Sequence, residues 1–330
     1  MPDDQNPAAK VESVPTDPAD RVQEIHPLED QAAETGARTP RDLGEDALPP
    51  APDDDPAVRR KPLAIAYWLA VGWVVLVLAA AVFADLLPLP DPIESDFTVL
   101  AQPPSLDHPL GTDEVGRDIL SRSVFGARVS LVVGISSVLL GLVIGGLFGL
   151  GAGYLRGRTE RVIMTMTDAL LALPALVLLL TIAAVLGQSL RNIVLGLAIL
   201  SIPTFIRLTR ASTLVVSQRE FVMASRSYGS RAVRVMLREI LPNVVPPVAA
   251  YSFIIIGVVI VAEGSLSFLG LGVPPPTPSW GGMIAGGRIS LTETPHIALS
   301  PSLVMFLTVL SFNFIGERLR KKFDVKESSL

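Results

Sequence analysis

Six stretches of this chain stay apolar for about 20 residues or more, at about 63–87, 129–154, 162–187, 191–212, 243–269 and 297–316; each is long enough to cross a hydrocarbon core about 30 Å thick. Inside lipid, backbone N–H and C=O groups find no water, so each stretch has to satisfy them internally as a helix. The expected fold class is an all-α integral membrane protein with six transmembrane helices. The first stretch starts too far from the N-terminus, and runs too long, for a secretory signal. Arg59, Arg60 and Lys61 precede it, and Tyr67, Trp68 and Trp73 suit the membrane interface.

Composition agrees, with 49% hydrophobic residues among 330 and a mean hydropathy of +0.49. The net charge of −5 conceals a split. Residues 1–61 hold 15 acidic and 7 basic side chains, leaving 17 acidic and 20 basic for the rest. That first segment is rich in Pro, Asp, Glu and Ala without helix or strand periodicity. It cannot bury enough surface to offset its ordering entropy and reads as a disordered tail. The expected organisation is therefore an acidic, Pro-rich tail over 1–61 and a transmembrane domain over 62–330.

Six crossings put both termini on one side of the membrane. Arg156, Arg158 and Arg161 follow the second stretch, five arginines from Arg219 to Arg238 follow the fourth, and Arg318, Arg320, Lys321, Lys322 and Lys326 follow the sixth. The loops between carry little positive charge apart from 88–128, which holds Arg117, Arg122 and Arg128. The positive-inside bias places both termini in the cytoplasm.

Within the second stretch Gly141, Gly145, Gly149 and Gly153 recur every fourth residue, forming one helix face that admits close approach of another helix. Pro174, Pro203, Pro246 and Pro247 fall in or near the stretches, where kinks open space. Asp168 and Glu263 are candidates for a translocation path, because ionisable groups at membrane depth line pathways or pair with one another. A structural role near the membrane surface is the competing reading for both.

Residues 217–243, SQREFVMASRSYGSRAVRVMLREILPN, interrupt the apolar pattern. At about 100° per residue, Arg231, Arg234 and Arg238 share one face and Val233, Met236, Leu237 and Ile240 the other. Ser230 is placed to cap this helix and Pro242 to stop or kink it. Before Gly229, the side chains of Phe221, Ala224, Ser225 and Tyr228 share a face: two aromatic rings separated by small residues, apt for docking a partner protein. A loop lying on lipid is the other reading of the same residues.

Met223-Ala224-Ser225, Gly229 and Ile240-Leu241-Pro242-Asn243 resemble the EAA loop of the membrane subunits of binding-protein-dependent ABC importers. The chain departs from that pattern at Met223, usually Glu, and at Ser225, usually Ala. HPLGTDEVGRDILSRSVFGARVSL (108–131) and LSFLGLGVPPPTPSWGGMI (266–284) resemble the C-type permease subunit of dipeptide and oligopeptide importers. The resemblance spans about residues 63–330 and implies a type I ABC importer permease fold. It further implies a heterodimer with a sister permease, two ATP-binding subunits, an extracytoplasmic peptide-binding protein and a bacterial plasma-membrane location. Phe221, Ala224, Ser225, Tyr228, Gly229, Ile240, Leu241 and Pro242 are then the ATPase-coupling loop.

The chain contains no G-x-x-x-x-G-K-[ST] phosphate loop, so ATP and Mg are expected on the partner ATPases, with no cofactor on this chain. It has no cysteine, and its three histidines are scattered; no metal site, enzyme activity or nucleic-acid partner is expected. The TDEVGRD segment (112–118) gathers Asp113, Glu114 and Asp118 without calcium-loop spacing and reads as an acidic helix start followed by a short helix. His108 and His296 read as loop residues. The prolines of 272–280 read as a stiff loop, a candidate contact for the binding protein, with Trp280 as an interface anchor. The same scaffold importing nickel chelates or another small solute is the nearest alternative. An ion-coupled secondary transporter is the alternative of another class, although the halves of the chain lack the repeats expected of one.

Overall fold

Parallel packing of two long helices organises the bundle. The computed structural model describes the backbone of residues 56–328 and the side chains of 65–323, so most of the acidic 1–61 segment lies outside the described residues. Among the described residues five helices are long and apolar enough to cross a membrane, and a bent pair makes six if it counts as one span. They belong to α1 (Pro56–Val82), α2 (Ile119–Leu155), α5 (Leu190–Val216), α8 (Leu241–Phe268), whose apolar run begins earlier, at Ala232, and α10 (His296–Ser328). Among the described residues, extended pairing is confined to one isolated bridge between Thr112 and Asp118.

The glycines of α2 meet α5. A methyl group on Gly141 would sit 2.7 Å from Ser201 Cβ, on Gly145 2.7 Å from Ile202 O, on Gly149 2.6 Å from Ile206 O, and on Gly153 2.7 Å from Thr213 Cβ. Partner numbers rise along both helices, so α2 and α5 run in the same direction. Two parallel helices need a return path between them, and residues 157–186 supply it.

The stretch expected to cross at 162–187 is a sharply bent pair of helices and not one straight helix. It consists of α3 (Gly157–Leu171) and α4 (Ala175–Leu186), bent by 84°. The cause is Pro174, which has no N–H to donate and disfavours helical backbone at Leu173; Pro174 itself adopts ψ 125°. With 12 residues, α4 is only about 18 Å long, too short to cross alone.

The remaining helices close around this pair. Antiparallel contact joins α8 to α10, where Gly257 approaches Asn313 and Val309, and Gly316 approaches Ile254. The Trp73 indole N–H on α1 donates to Thr308 Oγ1 on α10 at 3.1 Å. Arg128, near the start of α2, donates to Ala81 O at 2.9 Å and pairs with Asp85, placing a cation at the carbonyl-rich end of α1.

Two expectations about 112–131 and 280 change. Rather than opening a separate short helix, Asp118 caps α2 itself, its carboxylate accepting from Ser121 N–H at 2.7 Å, because no breaker follows before Arg156. Trp280 is not an interface anchor. It is fully buried at the start of α9 (Trp280–Gly287), and its indole N–H donates to Ser123 O at 2.9 Å. The bundle thus has a Trp280 end, with the start of α2 and the end of α8, and an opposite end carrying Gly229.

The glycine face generates a stability prediction. Gly145→Val forces contact with backbone atoms of α5 and should cost about 1–3 kcal/mol, lowering the thermal midpoint of the purified protein. Gly151→Ala, on the same helix with nothing within 4 Å, should be neutral or stabilising by up to about 1 kcal/mol. Equal midpoints for the two variants would refute the close approach.

Candidate functional site

Residues 217–243 fold into a short helix set against the end of the bundle. Two tight turns end α5, with Gln218 N–H donating to Val215 O and Arg219 N–H to Val216 O. Helix α6 (Glu220–Ser227) follows. Its exit is set by Gly229 at φ 76°: Ser230 N–H bonds Ser225 O and Gly229 N–H bonds Arg226 O. This pair of bonds across a left-handed residue is a Schellman ending, for which glycine is suited because it carries no Cβ. A side chain at Gly229 would meet no neighbour, so the requirement is conformational and not steric.

One side of the loop is anchored. Val222, Val235 and Ile240 are fully buried and join Val216 in the main core. The Arg226 guanidinium lies 4.5 Å from the ring centroid of Tyr154, a cation–π contact that ties α6 to the end of α2. The other side faces outward: Tyr228 is 90% exposed and Phe221 45%, with Ala224 exposed and Ser225 half-buried between them.

The second half differs from the expected amphipathic helix. Ser230 does not cap it; α7 (Ala232–Val235) starts from Arg231 without a side-chain cap. Pro242 does not end it either. A π-helical turn, Met236–Ile240, leads directly into α8, with Pro242 in the first turn. The side chain of Asn243 donates to Glu239 O at 2.7 Å. The buried residues are Val235 and Ile240, five apart as a π turn aligns them. Val233 and Leu237, assigned to the apolar face at helical spacing, are exposed.

The two candidate pathway carboxylates are not brought together. Asp168 pairs with Arg207 on α5 at 2.7 Å, both side chains more than half exposed. Near the start of the same helix, Glu160 pairs with Arg210. Glu160 and Asp168 are about 12 Å apart along α3, whereas Arg207 and Arg210 are about 4.5 Å apart along α5; α3 therefore crosses α5 instead of running along it. Glu263 is enclosed near the Trp280 end. It accepts from Ser267 Oγ at 2.9 Å, Ser279 Oγ at 3.0 Å and Ser130 Oγ at 3.4 Å. Ser130 Oγ in turn accepts from the backbone N–H of Trp280 at 3.2 Å. One carboxylate thus joins α2, α8 and the segment leading into α9.

The acidic residues of 112–118 are spent locally. Asp113 accepts from Val115 N–H and Arg117 N–H and pairs with Arg117 at 2.7 Å and Arg122 at 3.5 Å. Asp118 lies 2.9 Å from His108 Nδ1, and Glu114 accepts from Ser290. Among the described residues no three His, Cys, Asp or Glu side chains converge as metal ligands do. Arg207, Arg210 and the serines around Glu263 are invisible to motif reading. The only sequence signal was charge inside an apolar stretch, two arginines three residues apart.

Residues 137–327 match the family described as binding-protein-dependent transport system inner membrane component. The glutathione transport system permease protein GsiD of Pectobacterium atrosepticum is 42% identical over 263 residues, covering 79% of this chain and 87% of the relative. Its Escherichia coli counterpart is 42% identical over 258 residues, covering 78% and 85%. This chain belongs to that family. It is a multi-pass permease subunit of an ABC importer, a transport subunit without an ATPase domain. An inward-facing structure of the MetNI methionine ABC transporter superposes with a TM-score of 0.51 at 16% identity, covering 61% of this chain and 96% of that one, in agreement with the type I permease fold.

The Glu263 cluster yields a second prediction. Glu263→Gln keeps volume and an acceptor, and should leave the thermal midpoint of the purified importer within a few degrees. Glu263→Leu strands three buried hydroxyls at about 1–3 kcal/mol each and should lower it far more. A Leu variant as stable as the Gln variant would show that the hydroxyls do not depend on the carboxylate.

Proposed function

We propose that this permease imports small peptides, glutathione-like peptides among them, through a path formed with a sister permease. Two cytoplasmic ATP-binding subunits, using ATP and Mg, power it, and an extracytoplasmic binding protein delivers the peptide. The substrate class is supported by the relatives named as glutathione permeases, at 42% identity over most of the chain. Coupling is carried by one observation: Tyr228 and Phe221 project from α6 while Val222 is locked in the core. A rigidly seated helix presenting aromatic rings gives a partner contact area at little entropic cost. In this reading the Gly229 end and both termini face the cytoplasm of a bacterial cell, in accord with the arginines there.

Force from ATPase closure would pass through α6 to α5, by the two turns that join them, and to α2 through Arg226 and Tyr154. Such coupling requires two states that the ATPases bind with different affinity. Asp168, exposed beside α5, is the stronger of the two candidates for the path; Glu263 is enclosed within this chain.

Purification of the tagged chain in mild detergent from its native host tests the assignment. The wild type should retain a second permease and ATPases. Tyr228→Arg should weaken ATPase retention by about 2 kcal/mol or more, typical of an interface anchor, or about 30-fold. Reconstituted with its partners, the wild type should accumulate labelled glutathione only with ATP and the binding protein. Unaltered ATPase retention in Tyr228→Arg would remove α6 from the coupling surface. Failure to accumulate glutathione or any other small peptide would overturn the substrate class.

A further inference from the structure

At the Trp280 end, two arginines face a cavity that contains no carboxylate. The cavity is about 300 Å³ and is lined by Arg117, Arg122 and Met283 together with the stiff segment around Pro274, Pro275 and Pro278. A smaller neighbour of about 110 Å³ shares both arginines and also contains Asp113 and Glu114. The single acid that pairs with both arginines therefore sits on one side of them, and the larger cavity receives the other.

The guanidinium groups are only partly used. Arg117 donates through Nε to Asp113 at 2.7 Å; its side chain is 22% exposed. Arg122 donates through Nη1 to Pro92 O at 2.7 Å and is 7% exposed. Neither the Nη atoms of Arg117 nor Nη2 of Arg122 make a hydrogen bond within the described residues. Two cations share one anion, and free N–H donors remain in a recess. Glu263 lies behind Ser267 and Ser279, its oxygens already taken by hydroxyl donors.

We propose that this recess binds the carboxylate of a small molecule, with the arginines donating from Nη and the apolar wall of Met283 and the prolines accepting the attached chain. A guanidinium fork matches a carboxylate in geometry and charge. A volume of about 300 Å³ falls at the lower end for small-ligand sites and suits the carboxyl-bearing end of a peptide. Arg122 is recessed, which favours a small molecule over the side chain of a docking protein. The identity of that molecule as transported peptide rests on the import reading above; the site itself does not.

Protection from phenylglyoxal, which modifies guanidinium groups, tests the site in the complete importer held in lipid nanodiscs, with modification of Arg117 followed by mass spectrometry. Millimolar glutathione should slow modification about fivefold at a concentration near four times its Kd. Glutathione with both carboxyl groups converted to amides should not slow it. Protection by succinate without protection by glutathione would keep the carboxylate site and count against the peptide reading. Protection by neither overturns the site, even if glutathione uptake is measured. Protection only after adding the binding protein, with no small carboxylate present, overturns it in favour of a docking contact.

Discussion

The close approach of α2 and α5 sets most of the architecture. Without a side chain at every fourth residue, α2 brings its backbone against that of α5, and the pair gains van der Waals contact that lipid cannot replace. Because the two helices are parallel, the intervening chain has to travel back, and the bend at Pro174 is how it does so. The seam is held by shape. The Cβ atoms of Thr209 and Thr213 face Gly149 and Gly153, and the hydroxyls of both residues are buried without a hydrogen-bond partner. Each contributes about 1–3 kcal/mol of destabilisation, offset by the packing around it.

The seam also explains why 217–243 sits where it does. Only two tight turns separate α5 from α6, and Tyr154, the residue after the last seam glycine, stacks against Arg226. A displacement of α6 therefore acts on both members of the parallel pair. The Schellman ending at Gly229 and the π turn at Met236–Ile240 reconnect this rigid knob to α8. Two local irregularities thus let one buried valine anchor a helix whose aromatic residues remain outside.

The fold class was legible because hydropathy over about 20 residues is a strong constraint. The face of α2 was legible because four glycines at helical spacing have few other uses. What hydropathy did not carry was the helical phase of 231–240 and the size of the bend at Pro174. Leu171 to Ala175 is apolar throughout, so a hydropathy profile runs across the 84° bend that Pro174 imposes. Grouping Val233 and Leu237 with Ile240 on one apolar face assumed α-helical periodicity, whereas the π turn buries Val235 with Ile240 and leaves Val233 and Leu237 exposed. Trp280 looked interfacial because tryptophans commonly are; only tertiary structure reveals that Ser123 O accepts its N–H. In the candidate site, the aromatic knob could be read from spacing. The partners of Asp168 and Glu263 could not, since they are 39 or more residues away or are serines with no distinguishing pattern.

These two carboxylates represent two ways to keep an ionisable group in an apolar protein. Asp168 is met by a cation, and the pair stays exposed on α3 and α5, where solvent or a neighbouring subunit can reach it. Glu263 is met by neutral hydroxyls from three segments and is sealed. An exposed ion pair is easily remade when α3 shifts, because its net worth is small. A sealed carboxylate with three donors is not, because parting any segment leaves a polar group unsatisfied in a low-dielectric interior. The Trp280 end is thereby fastened where α2, α8 and the approach to α9 meet, while the Asp168 end of α3 is held by an ion pair that exchanges at little cost. Motion in this subunit should accordingly concentrate around α3 and the bend at Pro174, with the serine-lined carboxylate acting as the fixed point.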